Sequence, residues 1–178
     1  MNASEQGTRE PGKARYQVLP RTLIFVTSHS PETGTEEVLL LKGAPTKRLW
    51  ANKYNGVGGH VEAGESVAAG AQRELAEETG LTGVALTLRG IVNINTGVDQ
   101  FGPRPGVLVC VFVGTTVNRD LLSGREGALQ WIPVDTLPAY PLVDDLYELL
   151  PLVLGDRFVY AHYQPRADGE MDYRFEVI

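Results

Sequence analysis

Three glutamates, Glu74, Glu77 and Glu78, lie within five positions of one another in the middle of the chain. Residues three and four apart share one face of a helix, so their carboxylates are expected to cluster and to repel one another. A divalent cation would offset that repulsion, and Mg²⁺ takes oxygen ligands from carboxylates and substrate phosphates. The spacing therefore predicts a metal site, with an ordinary solvated acidic helix face as the alternative.

The segment around these acids carries the signals of a helix with defined ends. Ser66 is a favourable N-cap residue, and Gly80 followed by Leu81 is typical of a left-handed C-terminal cap. At about 100° per residue, one stripe of the helix is apolar. Its members are Val67, Ala68, Ala71 and Leu75. The sequence thus predicts a helix from Ser66 to Gly80 with one buried face.

The glutamates are expected along the rim of that buried face. Glu74 and Glu78 fall at the edge of the apolar stripe, and Glu77 lies just beyond it. Without a cation, a carboxylate in that position would have its pKa raised by desolvation and by its charged neighbours. The position of the acids therefore favours a bound cation over a solvated face.

A glycine-rich segment, residues 55–60, precedes this helix. Glycine tolerates unusual backbone angles and close approach by a ligand. A loop of this kind that runs into a helix lets backbone groups reach a phosphate or a metal. The alternative is a tight connection with no functional role.

The run from Gly59 to Leu81 resembles the Nudix box, Gly-x5-Glu-x7-Arg-Glu-U-x-Glu-Glu-x-Gly-U, in which U is aliphatic. Every fixed position is filled, by Gly59, Glu65, Arg73, Glu74, Leu75, Glu77, Glu78, Gly80 and Leu81. The resemblance implies an α/β fold, an α/β/α sandwich with a mixed β-sheet. It also implies a metal-dependent hydrolase that cleaves a diphosphate linkage in a nucleoside diphosphate derivative.

The same resemblance assigns roles to individual residues. The backbone carbonyl of Gly58 would be a metal ligand, and Arg73 with Glu65 would form a supporting ion pair away from the substrate. Mg²⁺ or Mn²⁺ in such a site neutralises a diphosphate, orients an attacking water and stabilises the leaving oxygen. The catalytic residues that hold the metal would be Glu74, Glu77 and Glu78.

The segment 54–59 resembles the Trp-Asn-Gly-Phe-Gly-Gly stretch of MutT-type enzymes that sanitise oxidised purine nucleoside triphosphates. By that resemblance Asn55 would hydrogen-bond the base, and Gly59 would lie against the substrate. An amide offers a donor and an acceptor to a purine edge. The alternative for Asn55 is a turn residue.

Glu126 lies five residues before Trp131, as does an acid of the same enzymes that completes the metal site or acts as a base. We therefore expect Glu126 to be catalytic. The alternative is an acid on a surface loop.

Asp144 and Asp145 resemble the paired acids with which those enzymes share protons and read the base edge. Leu142 or Val143 stands near the position of the stacking Trp of those enzymes, which weakens the substrate assignment. The alternative is that the two acids begin a helix, where negative charge is favoured.

The resulting hypothesis is a Mg²⁺-dependent Nudix pyrophosphohydrolase. It would cleave a nucleoside triphosphate, such as the oxidised purine 8-oxo-dGTP, to a nucleoside monophosphate and pyrophosphate. The nearer alternatives keep the chemistry and change the substrate to a dinucleoside polyphosphate, ADP-ribose or an undamaged dNTP. The more distant alternative is a nucleotide-binding module without turnover.

Length and composition fit one enzyme domain, expected over residues 18–178 after a flexible tail over residues 1–17. The net charge of −6 argues against a nucleic-acid polymer as partner, because phosphate backbones attract basic surfaces. The single Cys110 is expected in the core. With no apolar leader or bilayer-length apolar run, we expect a cytoplasmic protein that acts on a small nucleotide and not at a membrane.

The remaining sequence predicts alternating strands and one further helix. The helix is expected over residues 143–154, with Pro151 ending or kinking it. A loop is expected over residues 96–106. The strands are expected at 21–27, 38–41, 84–95, 107–113, 131–134, 157–163 and 172–177.

Overall fold

The computed structural model describes residues 16–46, 48–122 and 127–178. Two α-helices occur in these ranges, α1 (Val67–Thr79) and α2 (Leu146–Leu154), and a 3₁₀ turn (Val134–Ala139) precedes α2. The strands in the same ranges are β1 (Val18–His29), β2 (Glu36–Gly43), β3 (Tyr54–Asn55), β4 (Thr87–Ile94), β5 (Val98–Asp99), β6 (Gly102–Pro103), β7 (Gly106–Thr115), β8 (Gly127–Pro133), β9 (Val159–Pro165) and β10 (Met171–Val177).

One mixed sheet organises the fold, in the order β10-β9-β4-β7-β1-β2-β3, with β8 also paired to β2. The β1–β7 and β4–β9 pairs are parallel, and the other pairs of this sheet are antiparallel. The register of β1 and β7 extends from Val18 opposite Gly106 to Thr27 opposite Thr115. Both strands are rich in β-branched and aromatic residues, which suit a strand covered on both faces.

The two helices cover opposite faces of the sheet. Successive residues of a strand point to opposite faces, so Ile24 and Phe25 of β1 enter different cores. Ile24 packs in the core that contains Leu75 of α1, and Phe25 packs in the core that contains Leu146 of α2. The α/β/α sandwich with a mixed sheet is therefore confirmed.

Helix α1 has the ends that the sequence predicts. The Ser66 hydroxyl accepts a hydrogen bond from Ala69 N at 3.1 Å, as an N-cap should. At the other end Gly80 has φ 81°, and its N–H donates to Ala76 O at 2.9 Å. Glycine occupies this left-handed position without the steric cost that a Cβ would bring.

The buried face of α1 differs from the predicted apolar stripe at its first turn. Ala68 is exposed, and the buried residues of the helix are Gly70, Ala71, Leu75 and Thr79. A Cβ at Gly70 would lie 2.9 Å from Glu65 Oε1, so the preceding segment packs closely against this position. The buried Thr79 is tolerated in the core because its hydroxyl donates to Leu75 O at 2.6 Å.

Several predicted boundaries are corrected. The segment 96–106 contains the short β5–β6 hairpin, and the glycine-rich segment begins in β3. Residues 143–145 precede α2, and Pro151 lies inside this helix, which continues to Leu154. The helix continues past Pro151 because its residues on either side, Leu149, Leu150 and Val153 among them, are buried in the core.

The predicted tail lies outside the described residues except for Tyr16 and Gln17, which contact the sheet. The Tyr16 hydroxyl donates to Asn93 Oδ1 at 3.2 Å, and Gly106 N donates to Gln17 O at 2.8 Å. Cys110 is buried, as predicted, and burial raises the pKa of its thiol. Neither described helix is long and apolar enough to cross a bilayer.

Candidate active site

Arg73 lies at the centre of the carboxylates that α1 and its preceding loop supply. Its guanidinium binds both oxygens of Glu65, with Nη2–Oε1 at 2.8 Å and Nε–Oε2 at 3.2 Å. Nη1 donates to Glu74 Oε1 at 2.9 Å and to Glu77 Oε2 at 3.2 Å. The hydrogen bonds to Glu65 and Glu74 raise the pKa of Arg73, and its hydrogen bonds lower the pKa of Glu65. Arg73 thus holds three acids in one cluster.

The glycine-rich loop lies against two of the box acids. Gly58 N donates to Glu78 Oε2 at 3.0 Å. A Cβ on Gly59 would lie 2.3 Å from Glu74 Oε1, so the Glu74 carboxylate packs directly on the glycine. The Glu74 side chain is 15% exposed, whereas that of Glu77 is 61% exposed. The structure therefore brings Glu74, Glu78, Gly58 and Gly59 together and leaves Glu77 at the solvent edge.

The path of this loop requires glycine at position 58. Gly58 has φ 142°, which L side chains rarely adopt, and a Cβ there would lie 2.3 Å from Thr22 O. The loop is fixed to β1 on both sides of Gly58. Ile24 N donates to Val57 O at 2.8 Å, and Thr22 N donates to Gly59 O at 2.9 Å. The Gly58 N–H is thereby held against α1.

The acids of this region fit a hard cation in number and in kind. Three carboxylates of α1, those of Glu74, Glu77 and Glu78, and the carboxylate of Glu65 in the preceding loop lie in this region, and Arg73 is the cation bound to Glu65, Glu74 and Glu77. Carboxylate oxygens are the ligands that Mg²⁺ and Mn²⁺ prefer. Within the described ranges no three acidic, His or Cys side chains already stand at metal-ligating spacing, since Arg73 draws Glu74 and Glu77 toward itself.

A cavity of about 360 Å³ opens beside Gly58 and Glu78. Such a volume falls within the range of small-molecule sites, which are apolar with a few placed polar groups. The charged and amide side chains around it are Arg21, Lys53, Asn55, Glu78 and Asp145, and Thr22 and Tyr163 add hydroxyl groups. Its apolar lining includes Leu23, Val92, Ile94, Val107, Val109, Val143 and Leu149. The cavity therefore joins the acidic helix to an apolar chamber.

Asp145 is a partly buried acid in this chamber. Burial raises its pKa, and the hydroxyl of Tyr163, which donates to Asp145 Oδ2 at 3.0 Å, opposes that rise. Burial and the neighbouring carboxylate also raise the pKa of Tyr163. Asp145 stands at the N-cap position of α2, yet its side chain makes no cap hydrogen bond. Helix initiation alone therefore does not account for its position.

Of the other residues predicted to bind substrate or to be catalytic, Asn55 lines the cavity, whereas Asp144 does not. Asp144 is 65% exposed, lies outside the cavity lining and pairs with Lys53 Nζ at 2.5 Å. Asn55 lines the cavity, and its Oδ1 also accepts from Gly56 N at 2.8 Å, so it has the turn contact as well. Glu126 lies outside the described residues.

Arg21, Lys53 and Tyr163 line the cavity although no role was predicted for them from the sequence, whereas Trp50 was one of four aromatic residues, with Tyr54, Phe101 and Tyr140, among which the sequence could not choose a base-stacking ring. Arg21 could have been found from the sequence, because it is a charged residue that alternates with Leu23 and Phe25 on one face of β1. The others come from the segment 48–53 and from β9, and their convergence depends on the tertiary fold.

Asp145→Asn is expected to raise the melting temperature at pH 7. Since folding raises the pKa of Asp145, its contribution to stability is full below the unfolded pKa of about 3.9 and is lost as pH rises through the folded pKa. The neutral amide avoids that loss, so the gain should vanish below about pH 4. Thermal unfolding from acid to neutral pH measures the effect, with the exposed Asp135→Asn as control. A gain that did not vary with pH would contradict this account.

Comparison with known proteins agrees with the fold and identifies the family. The family model of the NUDIX domain matches residues 22–153. The oxidized purine nucleoside triphosphate hydrolase of Mus musculus is 29% identical over 126 residues, which cover 70% of this chain and 78% of the relative. The enzyme of the same name from Danio rerio is 32% identical over 125 residues, with the same coverage of 70% and 78%.

Among solved structures, the mMutator MutT protein from Bacillus halodurans superposes with a TM-score of 0.72 at 26% identity, covering 89% of this chain and 98% of that one. The NUDIX match includes the glycine-rich loop, the whole of α1 and the cavity residue Asp145. The sandwich, the complete box and these relatives lead to one conclusion: the chain belongs to the Nudix family and is a Nudix hydrolase.

Proposed function

We propose that this Nudix hydrolase is a Mg²⁺-dependent pyrophosphohydrolase of purine nucleoside triphosphates, oxidised forms such as 8-oxo-dGTP among them. Its products are a nucleoside monophosphate and pyrophosphate. The observation that carries the proposal is the single cavity that joins the acidic helix, through Gly58 and Glu78, to a chamber with Asn55 and Asp145.

The span of the cavity matches an extended nucleotide. Tyr163, the partner of Asp145, lies on β9, and Gly58 packs on β1, which is three strand positions away in the order β9-β4-β7-β1. Neighbouring strands are about 4.8 Å apart, so the two ends are separated by roughly 14 Å. A base placed at Asp145 thus leaves its phosphates near α1.

The residues of the chamber can read a purine. Asn55 offers an amide with a donor and an acceptor, and the carboxyl of Asp145, whose pKa burial raises, borders the same cavity and can accept from a purine edge. Arg21 lines the same cavity and supplies positive charge for the phosphate chain. A purine edge needs both hydrogen-bond donors and acceptors, and Asn55 and Asp145 together provide both.

The box residues act at the phosphates. Glu74, Glu77 and Glu78 would hold the metal, with the Gly58 carbonyl as a further ligand, and Arg73 with Glu65 positions the acids. When bound, the metal neutralises the diphosphate and lowers the pKa of an attacking water. The Nudix family generally uses divalent cations, and the hard oxygen donors of this helix suit Mg²⁺ or Mn²⁺.

The relatives support the choice of substrate. Both curated relatives carry the name oxidized purine nucleoside triphosphate hydrolase, and the Danio rerio protein is 32% identical over 70% of this chain. This proposal transfers that substrate class to the present chain because Asn55 and Asp145 lie together in the cavity.

A substrate panel tests the proposal, with chromatographic separation of the nucleotide products of every substrate and a pyrophosphate assay for the triphosphates. It contains 8-oxo-dGTP, dGTP, dATP, dCTP, ADP-ribose and a dinucleoside tetraphosphate, each with Mg²⁺ and with EDTA. We expect the highest kcat/KM for an oxidised purine triphosphate, pyrophosphate as the product and no turnover in EDTA. A preference for ADP-ribose, or equal activity in EDTA, would overturn the substrate or the metal assignment.

A further inference from the structure

The cavity contains one large aromatic ring at its open side. Trp50 lines the cavity and is 47% exposed. Its neighbour Leu49 also lines the cavity and is 56% exposed. Exposed apolar side chains grouped at a cavity mark a binding surface for an apolar ligand face. The segment 48–53 therefore presents an indole to the space that Asn55 and Asp145 border.

Other aromatic rings near this region are already engaged or lie elsewhere. Tyr54 and Tyr140 pack edge to face with centroids 5.5 Å apart, and Tyr54 is buried with its hydroxyl bonded to Gln130. Phe101 is 84% exposed at the β5–β6 turn and is not part of the cavity lining. Tyr163 lines the cavity, but Tyr173 and Phe175 pack against its ring. Trp50 is the ring with an open face.

The backbone of the loop holds Trp50 in an unusual conformation. Trp50 has φ 59° and Asn52 has φ 63°, which are left-handed values that cost energy in residues other than glycine. The loop closes through Asn52 N to Gly43 O and Gly43 N to Lys53 O, both at 3.0 Å. Non-glycine residues held this way cluster at ligand clamps. The closed loop fixes where the indole stands.

We propose that Trp50 is the base-stacking residue of this enzyme, covering the face of a purine whose edge lies toward Asn55 and Asp145. The inference rests on the proposed function and names the part of the substrate that Trp50 recognises. A flat ring suits a chamber with an apolar floor, an aromatic cover and polar groups at its edge. Purines offer a larger stacking area than pyrimidines, so Trp50 favours purines.

Trp50→Ala is expected to raise KM for the best purine triphosphate by on the order of 10-fold to 100-fold, since base–aromatic stacking contributes about that much per base. The kcat should change less than about threefold, because the ring does not touch the phosphates. Trp50→Phe keeps a stacking face and should recover most of the loss. Phe101→Ala, an exposed aromatic outside the cavity, is the matched control and should keep the wild-type KM.

Fluorescence gives a second readout that a general loss of structure would not mimic. The chain has two tryptophans, and the other, Trp131, lies beneath the Arg119 guanidinium at 4.5 Å on the α1 side of the sheet. With Ca²⁺ in place of Mg²⁺, a purine triphosphate should quench the tryptophan emission of the wild-type protein. Tripolyphosphate, which lacks a base, should not quench it. In Trp50→Phe the quenching should disappear.

The two hypotheses fail in different ways. If wild-type enzyme hydrolyses purine triphosphates while Trp50→Ala keeps the wild-type KM, or if Trp50→Phe is quenched as strongly as wild type, the stacking role is overturned and the proposed function stands. If the wild-type protein turns over no purine triphosphate, the proposed function is overturned and the stacking role with it.

Discussion

Glu78→Gln is expected to lower kcat by on the order of 10³-fold or more while the fold remains intact. Glu78 is the box acid that both lines the cavity and accepts from Gly58 N, at 3.0 Å. The glutamine carbonyl can still accept that hydrogen bond, so the loop keeps its position. What is lost is one negative charge at the place where substrate phosphates and a divalent cation would meet.

Steady-state kinetics on the best panel substrate measures this loss, and circular dichroism with thermal unfolding checks the fold. Glu32→Gln, in the exposed turn between β1 and β2, removes the same charge far from α1 and should keep wild-type kcat. Normal turnover by Glu78→Gln would remove Glu78 from the catalytic machinery.

Gly58→Ala is expected to lower the free energy of unfolding by roughly 3 kcal/mol and kcat by about 100-fold. Two independent costs combine at this position. The φ of 142° is unfavourable for alanine, and its Cβ would lie 2.3 Å from Thr22 O, which is backbone and cannot swing aside. The loop must therefore move from β1 and carry its N–H away from Glu78.

Gly64→Ala separates these two costs. Gly64 has φ 92°, and a Cβ there meets no atom within 4 Å, so the substitution tests backbone conformation alone. Its expected cost is about 1–2 kcal/mol with little change in kcat. Urea denaturation gives the two free energies and assays of the same samples give kcat. Equal effects of the two substitutions would show that contact with Thr22 has no role.

The sequence was most informative where function depends on local spacing. The positions of Ser66, Gly80 and the three acids within one helix follow from the 3.6-residue period and from cap chemistry, and the helix has the ends so predicted. The error at Ala68 arose because burial depends on what packs against a helix, and the segment carrying Glu65 covers Gly70 instead. Packing partners are not encoded by periodicity.

The lining of the apolar chamber was harder to predict from the sequence, because it too depends on which elements pack together. Trp50 and Tyr163 are 113 positions apart, and only the sheet order brings both to one cavity. Asp144 and Asp145 are adjacent in sequence, so pattern alone treats them as a pair. The structure separates them, because Asp144 turns outward to Lys53 whereas Asp145 turns inward to Tyr163. The different positions of the two acids depend on the direction in which each side chain points at the start of α2.

The parallel pairing of β1 with β7 has a consequence for biosynthesis. The partners Val18 and Gly106 are 88 positions apart, and the glycine loop that faces α1 is bonded to β1. While the chain emerges from the ribosome, β1 cannot acquire this neighbour until the 88 residues that follow Val18 have been made. Contacts of such long range slow folding, because loop-closure entropy must be overcome first. We therefore expect the glycine loop to reach its final position against α1 only after the nascent chain has extended beyond Thr115.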